Sequence, residues 1–479
     1  MGPSKTQGLA GDWRTPLLAG AQQLVVPALE RDPTCWPGYL PRTAVTAWRL
    51  TSGPIAAVWD FSVYGGSFGE DDATVLVAAA AAAVHENRPL LTLLRSGGTR
   101  LQEGMAALVG IPRARIALLD LAAAGLPHLS VSDAPTTGGV WISVGAAADL
   151  RVAVEGATIG FAGPRVVEAV TGTLPAPGSH TATSAWGAGL VDAVLPADQV
   201  VDWLTRALTA LEPGSAGSSG GTGWSRVGDP QGSSDQAQPA GPAVVTTVCG
   251  GWEQVQRSRA PRPDGRELLD QLLPGGIDLR APRGDTTVAA RLGRLGGLPV
   301  IGVATAARQG GRPTPDGYRL LTRAARLADR LGIALLSLVD TPGAEPGTAS
   351  EEDGIAGAMG EALDALLLCR SPTIALVHGE GGSGGALAAA ACDLLLVAEG
   401  SYFAAIGPEG ASAALRKPPQ DCAELLRLTP VDLLTLGAVD GLAEPADLAE
   451  WLVQLSDQDP RWRQNMRRTR WSRTVPGYL

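Results

Sequence analysis

Residues 377–387 have the sequence VHGEGGSGGAL and join a short apolar run to an alanine-rich segment that is typical of a helix. A glycine-rich turn between a strand and a helix directs backbone N–H groups, and the positive end of the helix dipole, at one point. Such a turn stabilises a developing oxyanion without side-chain chemistry. We therefore expect an oxyanion hole at Gly384 and Gly385 and treat both glycines as catalytic candidates.

The same segment also contains the Gly-x-Ser-x-Gly pattern of a nucleophile elbow, centred on Ser383. In that fold the acid and the histidine follow the serine along the chain. His378 is the last histidine of this sequence, so a serine hydrolase would lack its base. This hypothesis is disfavoured, and Ser383 is interpreted as a small spacer.

A third pattern is Gly-x-Gly-x-x-Gly, formed by Gly379, Gly381 and Gly384, with Glu399 about 20 residues after the first glycine. It matches a dinucleotide-binding fingerprint. The corresponding turn of the first half, residues 136–139, has no such pattern, so this hypothesis is also disfavoured.

Glycines recur in a similar register in both halves of the chain. The steps between five of them are 32, 40, 25 and 26 residues in the first half and 32, 41, 23 and 30 in the second. This register predicts two duplicated domains rather than a solenoid. It also places a second oxyanion turn at Gly138 and Gly139. The five pairs are Gly66 and Gly311, Gly98 and Gly343, Gly138 and Gly384, Gly163 and Gly407, and Gly189 and Gly437.

Short apolar runs alternate with helical patterns in each half, which indicates an α/β fold with buried parallel strands. A Gly/Ser/Pro-rich stretch, residues 212–243, predicts a flexible linker. We therefore expect domains at 1–211 and 244–479. The predicted strands are 55–60, 90–94, 129–131, 300–304, 335–339, 374–378 and 394–397, and the predicted helices are 73–86, 315–332 and 354–369.

Composition excludes several classes of function. The net charge is −10 and the only basic block is 461–473, expected to be a solvated helix or extension, so nucleic-acid binding is disfavoured. Five scattered cysteines without a Cys-x-x-Cys pair argue against a disulfide framework or a zinc site. The apolar runs are too short to cross a bilayer and no signal peptide is evident, so we expect a cytoplasmic protein without a membrane partner.

With these segments in view, the first half resembles the β subunit of bacterial acetyl-CoA carboxylase carboxyltransferase, and the second half resembles the α subunit. The β-like stretches are WDFSVYGGSFG (59–69), SGGTRLQEG (96–104), DAPTTGGV (133–140) and IGFAGPRVVE (159–168). The α-like stretches are WEQVQRSR (252–259), TPDGYR (314–319), DTPGAEPGTASEE (340–352), GEGGSGGALA (379–388) and AIGPEGASAAL (405–415).

The resemblance implies two crotonase-like ββα-spiral domains in tandem. It also implies a reaction in which CO2 moves from carboxybiotin to the α-carbon of an acyl-CoA, giving malonyl-CoA from acetyl-CoA. The resemblance implies that Gly138 and Gly139 bind the thioester enolate and that Gly384 and Gly385 bind the carbonyl oxygen of biotin. It implies that the CoA side of the site is lined by Gly97, Gly98 and Arg100, and the biotin side by Gly343. An ordinary ion pair with Glu103 or another acid is an alternative to the substrate-binding role that the resemblance implies for Arg100.

The resemblance further implies that biotin arrives on a separate biotin carboxyl carrier protein and that biotin carboxylase is another chain. It implies a homodimer whose site lies between the β-like half of one chain and the α-like half of the other. The four-cysteine zinc ribbon of the β family is missing, since only Cys35 is present, and no metal is expected.

Three residues depart from the family pattern: Glu345, Asp353 and Arg416. Acidic changes near a site for an anionic substrate weaken binding by repulsion. Two alternatives therefore stay open, a malonyl-thioester decarboxylase of the same fold and a non-catalytic carboxylase assembly subunit.

Overall fold

The computed structural model describes residues 12–211, 249–305 and 311–474, so the predicted linker lies outside the described residues. Within these ranges each half contains a sheet of eight strands. The strands of the first half are β1 (Gln22–Leu24), β2 (Val45–Arg49), β3 (Ile55–Trp59), β4 (Leu90–Ser96), β5 (His128–Thr137), β6 (Leu150–Val154), β7 (Ile159–Gly160) and β8 (Ala193–Leu195). Those of the second are β9 (Ile277–Leu279), β10 (Ala289–Leu295), β11 (Leu298–Ala304), β12 (Ala334–Thr341), β13 (Thr373–Gly382), β14 (Leu394–Val397), β15 (Tyr402–Ala404) and β16 (Gly441–Leu442).

The two sheets have matching topologies. The first has the order β1-β2-β3-β4-β5-β6-β8 with β7 beside β5, and the second has the order β9-β10-β11-β12-β13-β14-β16 with β15 beside β13. The first three strands of each order pair antiparallel and all others pair parallel. The predicted α/β class, the tandem repeat and the parallel strands are thereby confirmed, whereas the antiparallel strands β1, β2, β9 and β10 were not predicted.

Helices cover both faces of the parallel strands, so every residue of β12 and β13 is buried. The helices of the first half are Thr15–Leu18, Glu70–Glu86, Met105–Ala123, Gly138–Val140 with a π-turn at Trp141–Gly145, Pro164–Thr171, Ala182–Gly187 and Val200–Leu211. Those of the second are Gly251–Ser258, Gly265–Leu272, Pro315–Leu331, Thr348–Glu352, Ile355–Leu368, Ser383–Ala390, Pro408–Leu415, Pro419–Leu425, Pro430–Leu436, Leu448–Ser456 and Pro460–Ser472.

The repeated glycines occupy equivalent places in the two halves, with one shift. Strands β5 and β13 both have ten residues and pair in the same register with β4 and β12. Gly138 is the first residue after β5, and Ser383 is the first residue after β13. Gly138 therefore corresponds in structure to Ser383, and Gly139 corresponds to Gly384. The glycine register in the sequence pairs Gly138 with Gly384, so the structural pairing is shifted by one residue.

The two halves of one chain share a hydrophobic core. Buried residues of the helix Met105–Ala123 and the turn at Trp141 pack in one cluster with the helix Ile355–Leu368. Arg115 Nε donates to Asp364 Oδ1 across this contact at 2.9 Å. The halves therefore form one packed unit within a chain.

The basic segment near the C-terminus is solvated on one face only, whereas the expectation was a solvated helix or extension. It forms the helix Pro460–Ser472, in which Arg467 is 1% exposed and Trp471 is fully buried. Arg467 binds both carboxylate oxygens of Asp393 at 2.8 and 2.7 Å, and Asp393 Oδ2 accepts the N–H of Thr373, the first residue of β13, at 2.9 Å. The arginines are retained inside because a buried carboxylate needs a paired cation.

A buried acid also joins the halves. Glu351 Oε1 accepts the N–H of Phe161 at 2.6 Å and lies 3.5 Å from His180 Nε2. Burial raises the pKa of Glu351 to about 8, although the N–H groups of Phe161 and Ala162 favour its charged form. Burial lowers the pKa of His180. The two side chains are therefore uncharged together at neutral pH.

Arg467→Ala is expected to lower the free energy of unfolding by about 3–5 kcal/mol, because it leaves the Asp393 carboxylate buried and unpaired. Arg468 on the same helix is the matched control, since it binds Asp120 at 2.7 Å in an exposed pair, and Arg468→Ala is expected to cost about 1 kcal/mol or less. Urea unfolding of both variants measures the difference. Equal losses would contradict the assigned role of Arg467.

Glu351→Gln is expected to flatten the pH dependence of stability. The folded carboxyl keeps its proton up to about pH 8, whereas an unfolded one releases it near the ordinary pKa of 4.5. The folded state binds more protons between these values, so this residue makes the free energy of unfolding fall as pH rises from about 4.5 to 8. Gln keeps the acceptor for Phe161 and never ionises. Melting temperatures at pH 5 and pH 8 test this, with the exposed neighbour Glu352→Gln as the control.

Candidate functional site

The two predicted turns lie at the carboxyl ends of equivalent parallel strands. Gly138 and Gly139 begin the helix after β5, and Ser383 and Gly384 begin the helix after β13. The first amides of a helix have no partner within that helix. Each turn therefore offers backbone N–H donors, backed by a helix dipole, to whatever lies in front of it.

The loops after β4 and β12 lie against these turns at distances that exclude side chains. A Cβ on Gly138 would come within 2.9 Å of the Cα of Gly98, and Gly138 has φ +66°. In the second half a Cβ on Gly382 would come within 2.1 Å of the carbonyl oxygen of Pro342. The amides of Gly98 and Gly343 already donate to Ser96 Oγ and Thr341 Oγ1, at 3.1 and 3.2 Å. These two glycines therefore allow the loops to approach the turns closely, and their own amides are not free donors.

The two turns open into one cavity of about 160 Å3 between the halves. Its wall is largely apolar, with Ile111, Ile142, Phe161, Val166 and Ile406 among the lining side chains. Both sides of this cavity come from the same chain, whose halves are packed together by the common core. The expectation of a site shared between two chains stays a prediction. Six of the eight predicted site residues line this cavity: Gly97, Gly98, Gly138, Gly139, Gly343 and Gly384.

Arg100 is not a cavity residue, and the ion-pair alternative describes it. Its side chain is fully buried and binds Asp72 Oδ2 at 2.7 Å, Glu103 Oε1 at 3.4 Å and the carbonyl oxygen of Arg42 at 2.6 Å. Ser67 accepts the remaining two of the five guanidinium N–H groups, so Arg100 has no donor left for a substrate. Arg100 organises the loop after β4 instead.

Gly385 also lies outside the cavity. A Cβ there would come within 2.4 Å of the backbone nitrogen of Ala344, and the Gly385 carbonyl oxygen accepts the Tyr318 hydroxyl at 2.9 Å. Gly385 is therefore a packing residue, and the donors of this turn are the amides of Ser383 and Gly384.

Ser383 is the residue that sequence reasoning undervalued. It lines the cavity and has φ +61°, close to the φ of its counterpart Gly138. A non-glycine residue in the left-handed region is uncommon and strained. The Gly-x-Ser-x-Gly pattern was the available signal for such a turn.

The hydrolase and dinucleotide hypotheses both lack support in the geometry. All four histidines are described and none lines the cavity. Burial lowers the pKa of His128 to about 3 and that of His378 to about 4, so neither is placed or tuned as a base. Gly379 and Gly381 lie within β13 rather than in its turn, and both are packed too closely for a side chain.

The three departures from the family pattern do not line the cavity. Glu345 accepts the N–H of Gly347 at 3.2 Å within its own loop. Arg319 binds Asp353 at 2.8 Å. Burial acts to raise the pKa of Asp353, but the hydrogen bonds from Arg319 and Arg283 outweigh it and lower this pKa. Arg416 is exposed after the helix Pro408–Leu415. The arginine partners of Asp353 reduce the repulsion predicted for that residue.

Charged groups do occur at the second-half wall, where Arg312 and Glu409 line the cavity. Glu409 is bound by Arg259 at 2.8 Å. Burial favours the neutral acid, but the hydrogen bond and charge of Arg259 hold the pKa of Glu409 below its ordinary value. Glu409 therefore stays ionised and paired.

Within the described ranges, no group of three or more His, Cys, Asp or Glu side chains is arranged to hold a metal ion. A search of the same ranges finds no helix with the length and apolar character needed to cross a membrane.

Two family models match the chain in tandem. Residues 55–208 match the carboxyl transferase domain, and residues 245–454 match the acetyl co-enzyme A carboxylase carboxyltransferase-like family. The acetyl-coenzyme A carboxylase carboxyl transferase subunits beta/alpha of Salinispora tropica is 36% identical over 84% of this chain and 73% of its own length. A probable biotin-dependent acyl-coenzyme A carboxylase beta3 subunit of Mycobacterium bovis is 35% identical over 83% of this chain and 78% of its own.

Among solved structures, the transcarboxylase 12S core with methylmalonyl-coenzyme A bound covers 96% of this chain and 93% of its own, at 23% identity and a TM-score of 0.38. The sequence relatives carry the assignment. They are similar along most of both chains, and the two family models divide between the two halves. The protein therefore belongs to the acetyl-coenzyme A carboxylase carboxyltransferase family, as a chain that carries the β-like and α-like halves together.

Proposed function

We propose that this carboxyltransferase transfers CO2 from carboxybiotin, delivered by a separate carrier protein, to the α-carbon of acetyl-CoA. The observation that carries the proposal is the cavity, into which two equivalent strand-to-helix turns open from the two halves. Relatives named as acetyl-coenzyme A carboxylase carboxyl transferases support the choice of acetyl-CoA.

The residues at the cavity fit such substrates. Bare backbone at Gly98, Gly138 and Gly343 leaves space that side chains would fill, and the apolar wall suits a thioester. When bound at the turn of Ser383 and Gly384, carboxybiotin would supply the CO2 and a nitrogen acceptor for the α-proton of the acyl-CoA. The chain itself needs no side-chain base, in agreement with the lack of a histidine at the cavity.

Each turn has a separate role in the proposal. The amides of Gly138 and Gly139 hold the enolate oxygen of the thioester, and those of Ser383 and Gly384 hold the ureido oxygen of biotin. Both oxygens gain negative charge during the reaction, so fixed donors contribute most in the transition state. The apolar wall excludes water and strengthens these interactions.

The proposal includes the assembly around the chain. A biotin carboxyl carrier protein and a biotin carboxylase act as separate partners, and the chain forms a homodimer. The domain limits 1–211 and 244–479, with a linker at 212–243, are supported by the family matches on either side of that segment.

Malonyl-CoA incubated with the purified protein is expected to lose its carboxyl group only when free biotin or biocytin is present, because the ureido nitrogen is the acceptor. Release of acetyl-CoA, measured by chromatography, checks this. Loss without biotin would support the decarboxylase alternative. No turnover under either condition would support the assembly role, and both results contradict the proposal.

Gly384→Ala is expected to lower the turnover number about 10- to 100-fold without changing the melting temperature. Its Cβ would have ordinary contacts of 3.5 Å with Ile142 and Met359 while crowding the donor amides. Gly385→Ala is the matched comparison, since its Cβ meets the backbone of Ala344, and it is expected to lower the melting temperature. Activity equal to wild type in Gly384→Ala would contradict the role of this turn.

A further inference from the structure

Glu351 is a buried acid whose side chain reaches from the second half of the chain into the first. It lies on the helix Thr348–Glu352, and its Oε1 atom accepts the backbone N–H groups of Phe161 and Ala162 at 2.6 and 3.4 Å. Phe161 and Ala162 both line the cavity. One side chain of the second half therefore holds a cavity-wall segment of the first half.

The segment that Glu351 holds is tied directly to the turn of the first half. Phe161 follows β7, whose last residue, Gly160, pairs in parallel with Thr137. Thr137 is in turn the last residue of β5, and Gly138 follows it. A displacement of Phe161 is therefore passed to the first turn through a single pair of strands.

The helix that carries Glu351 is tied in a similar way to the turn of the second half, Ser383 and Gly384. This helix follows the loop after β12, in which the backbone nitrogen of Ala344 lies 2.4 Å from the position that a Cβ of Gly385 would take. Contacts as close as this transmit displacements between the segments that make them. The two turns are therefore connected across the halves through the carboxyl group of Glu351.

The surroundings of this carboxyl group leave space for its contact with the backbone. A Cβ on Gly160 would come within 3.2 Å of Glu351 Oε1 and within 2.8 Å of Cδ2 of His180, so glycine at this position lets the acid approach. Among the described residues, His180 is the only basic group within 4.0 Å of the carboxyl oxygens. The buried carboxylates of Asp72 and Asp393, by contrast, each bind an arginine. A buried acid without such a cation depends on its hydrogen bonds, which here run to the cavity wall.

We propose that Glu351 is a positioning residue of the transfer reaction, which fixes the separation of the two turns across the halves. This inference rests on the proposed function, in which one turn holds the thioester oxygen and the other holds the biotin oxygen. Formation of the carbon–carbon bond requires both ligands at one distance, and a small misplacement of reacting groups lowers the rate strongly. Each turn is complete on its own half, so each ligand still binds when the connection is lost. Loss of Glu351 therefore affects turnover more than binding.

The test separates turnover from binding at pH 7. Glu351→Leu removes the hydrogen-bond acceptor, and Gly160→Ala crowds it. Glu351→Leu is expected to lower the turnover number for biocytin-dependent release of acetyl-CoA from malonyl-CoA about tenfold or more, and Gly160→Ala is expected to lower it about threefold. The dissociation constant of malonyl-CoA, measured by isothermal titration, is expected to change less than about threefold in Glu351→Leu, because the turns themselves are intact.

Glu351→Gln is the conservative variant that should restore turnover. Burial raises the pKa of Glu351 to about 8, so the group is protonated at pH 7, and a glutamine amide has a similar shape and keeps an acceptor oxygen. Its turnover is expected to stay close to that of wild type, as is that of the exposed control Glu352→Gln. Hydrogen exchange, measured by mass spectrometry on the peptide that contains Phe161 and Ala162, is expected to be faster in Glu351→Leu and unchanged in Glu351→Gln.

Turnover of Glu351→Leu equal to that of wild type would overturn the inference, as would a loss of malonyl-CoA binding as large as the loss of turnover. A Glu351→Gln variant as slow as Glu351→Leu would also overturn it, because the acceptor oxygen would then not be what matters. Melting temperatures identify a variant that does not fold, and Gly160→Ala then carries the test. A wild type without biocytin-dependent turnover would contradict the proposed function and this role with it, whereas an active wild type with unaffected variants would contradict this role alone.

Discussion

Close contact between two backbone turns is the constraint on which each half of the structure depends. The turn after β5 touches the loop after β4 at Gly138 and Gly98, and the turn after β13 touches the loop after β12 at Gly382 and Pro342. Side chains are excluded there by distance alone. Because no side chains stand at these contacts, the first amides of the following helices stay uncovered. The close packing of the turns therefore also creates the surface that can bind a ligand.

The charged residues around these turns serve different purposes despite similar composition. Arg100 and Arg467 are fully engaged by their own chain and hold a loop and a strand in place. Arg259 neutralises two glutamates beside the cavity. Arg312 alone among these four has no carboxylate of the described chain within ion-pair distance. Charge is therefore distributed so that Arg312 faces the cavity, while the other three arginines hold a loop, a strand and two glutamates in place.

Much of the architecture was accessible from the sequence, because duplicated glycines and alternating apolar runs are local signals. The starts of the strands that carry the turns were predicted within one residue, but β5 runs to Thr137 and β13 to Gly382, six and four residues beyond the predicted ends. The role of Arg100 was left undecided because its choice between an ion pair and a substrate depends on Asp72, a contact 28 residues away that spacing does not show. The offset between Gly138 and Ser383 was missed because glycine was aligned with glycine, whereas backbone conformation is what the two positions share.

The helix Pro460–Ser472 has a consequence for the order in which the protein is made. Its arginines bind Asp393, 74 residues earlier, and Asp120, 348 residues earlier. During synthesis on a ribosome, the β13 strand and its turn emerge long before this helix does, and they lack the cation that neutralises Asp393. The nascent chain therefore carries β13 without its buried cation until the helix Pro460–Ser472 has been translated, and packing around Asp393 is tied to synthesis of this helix.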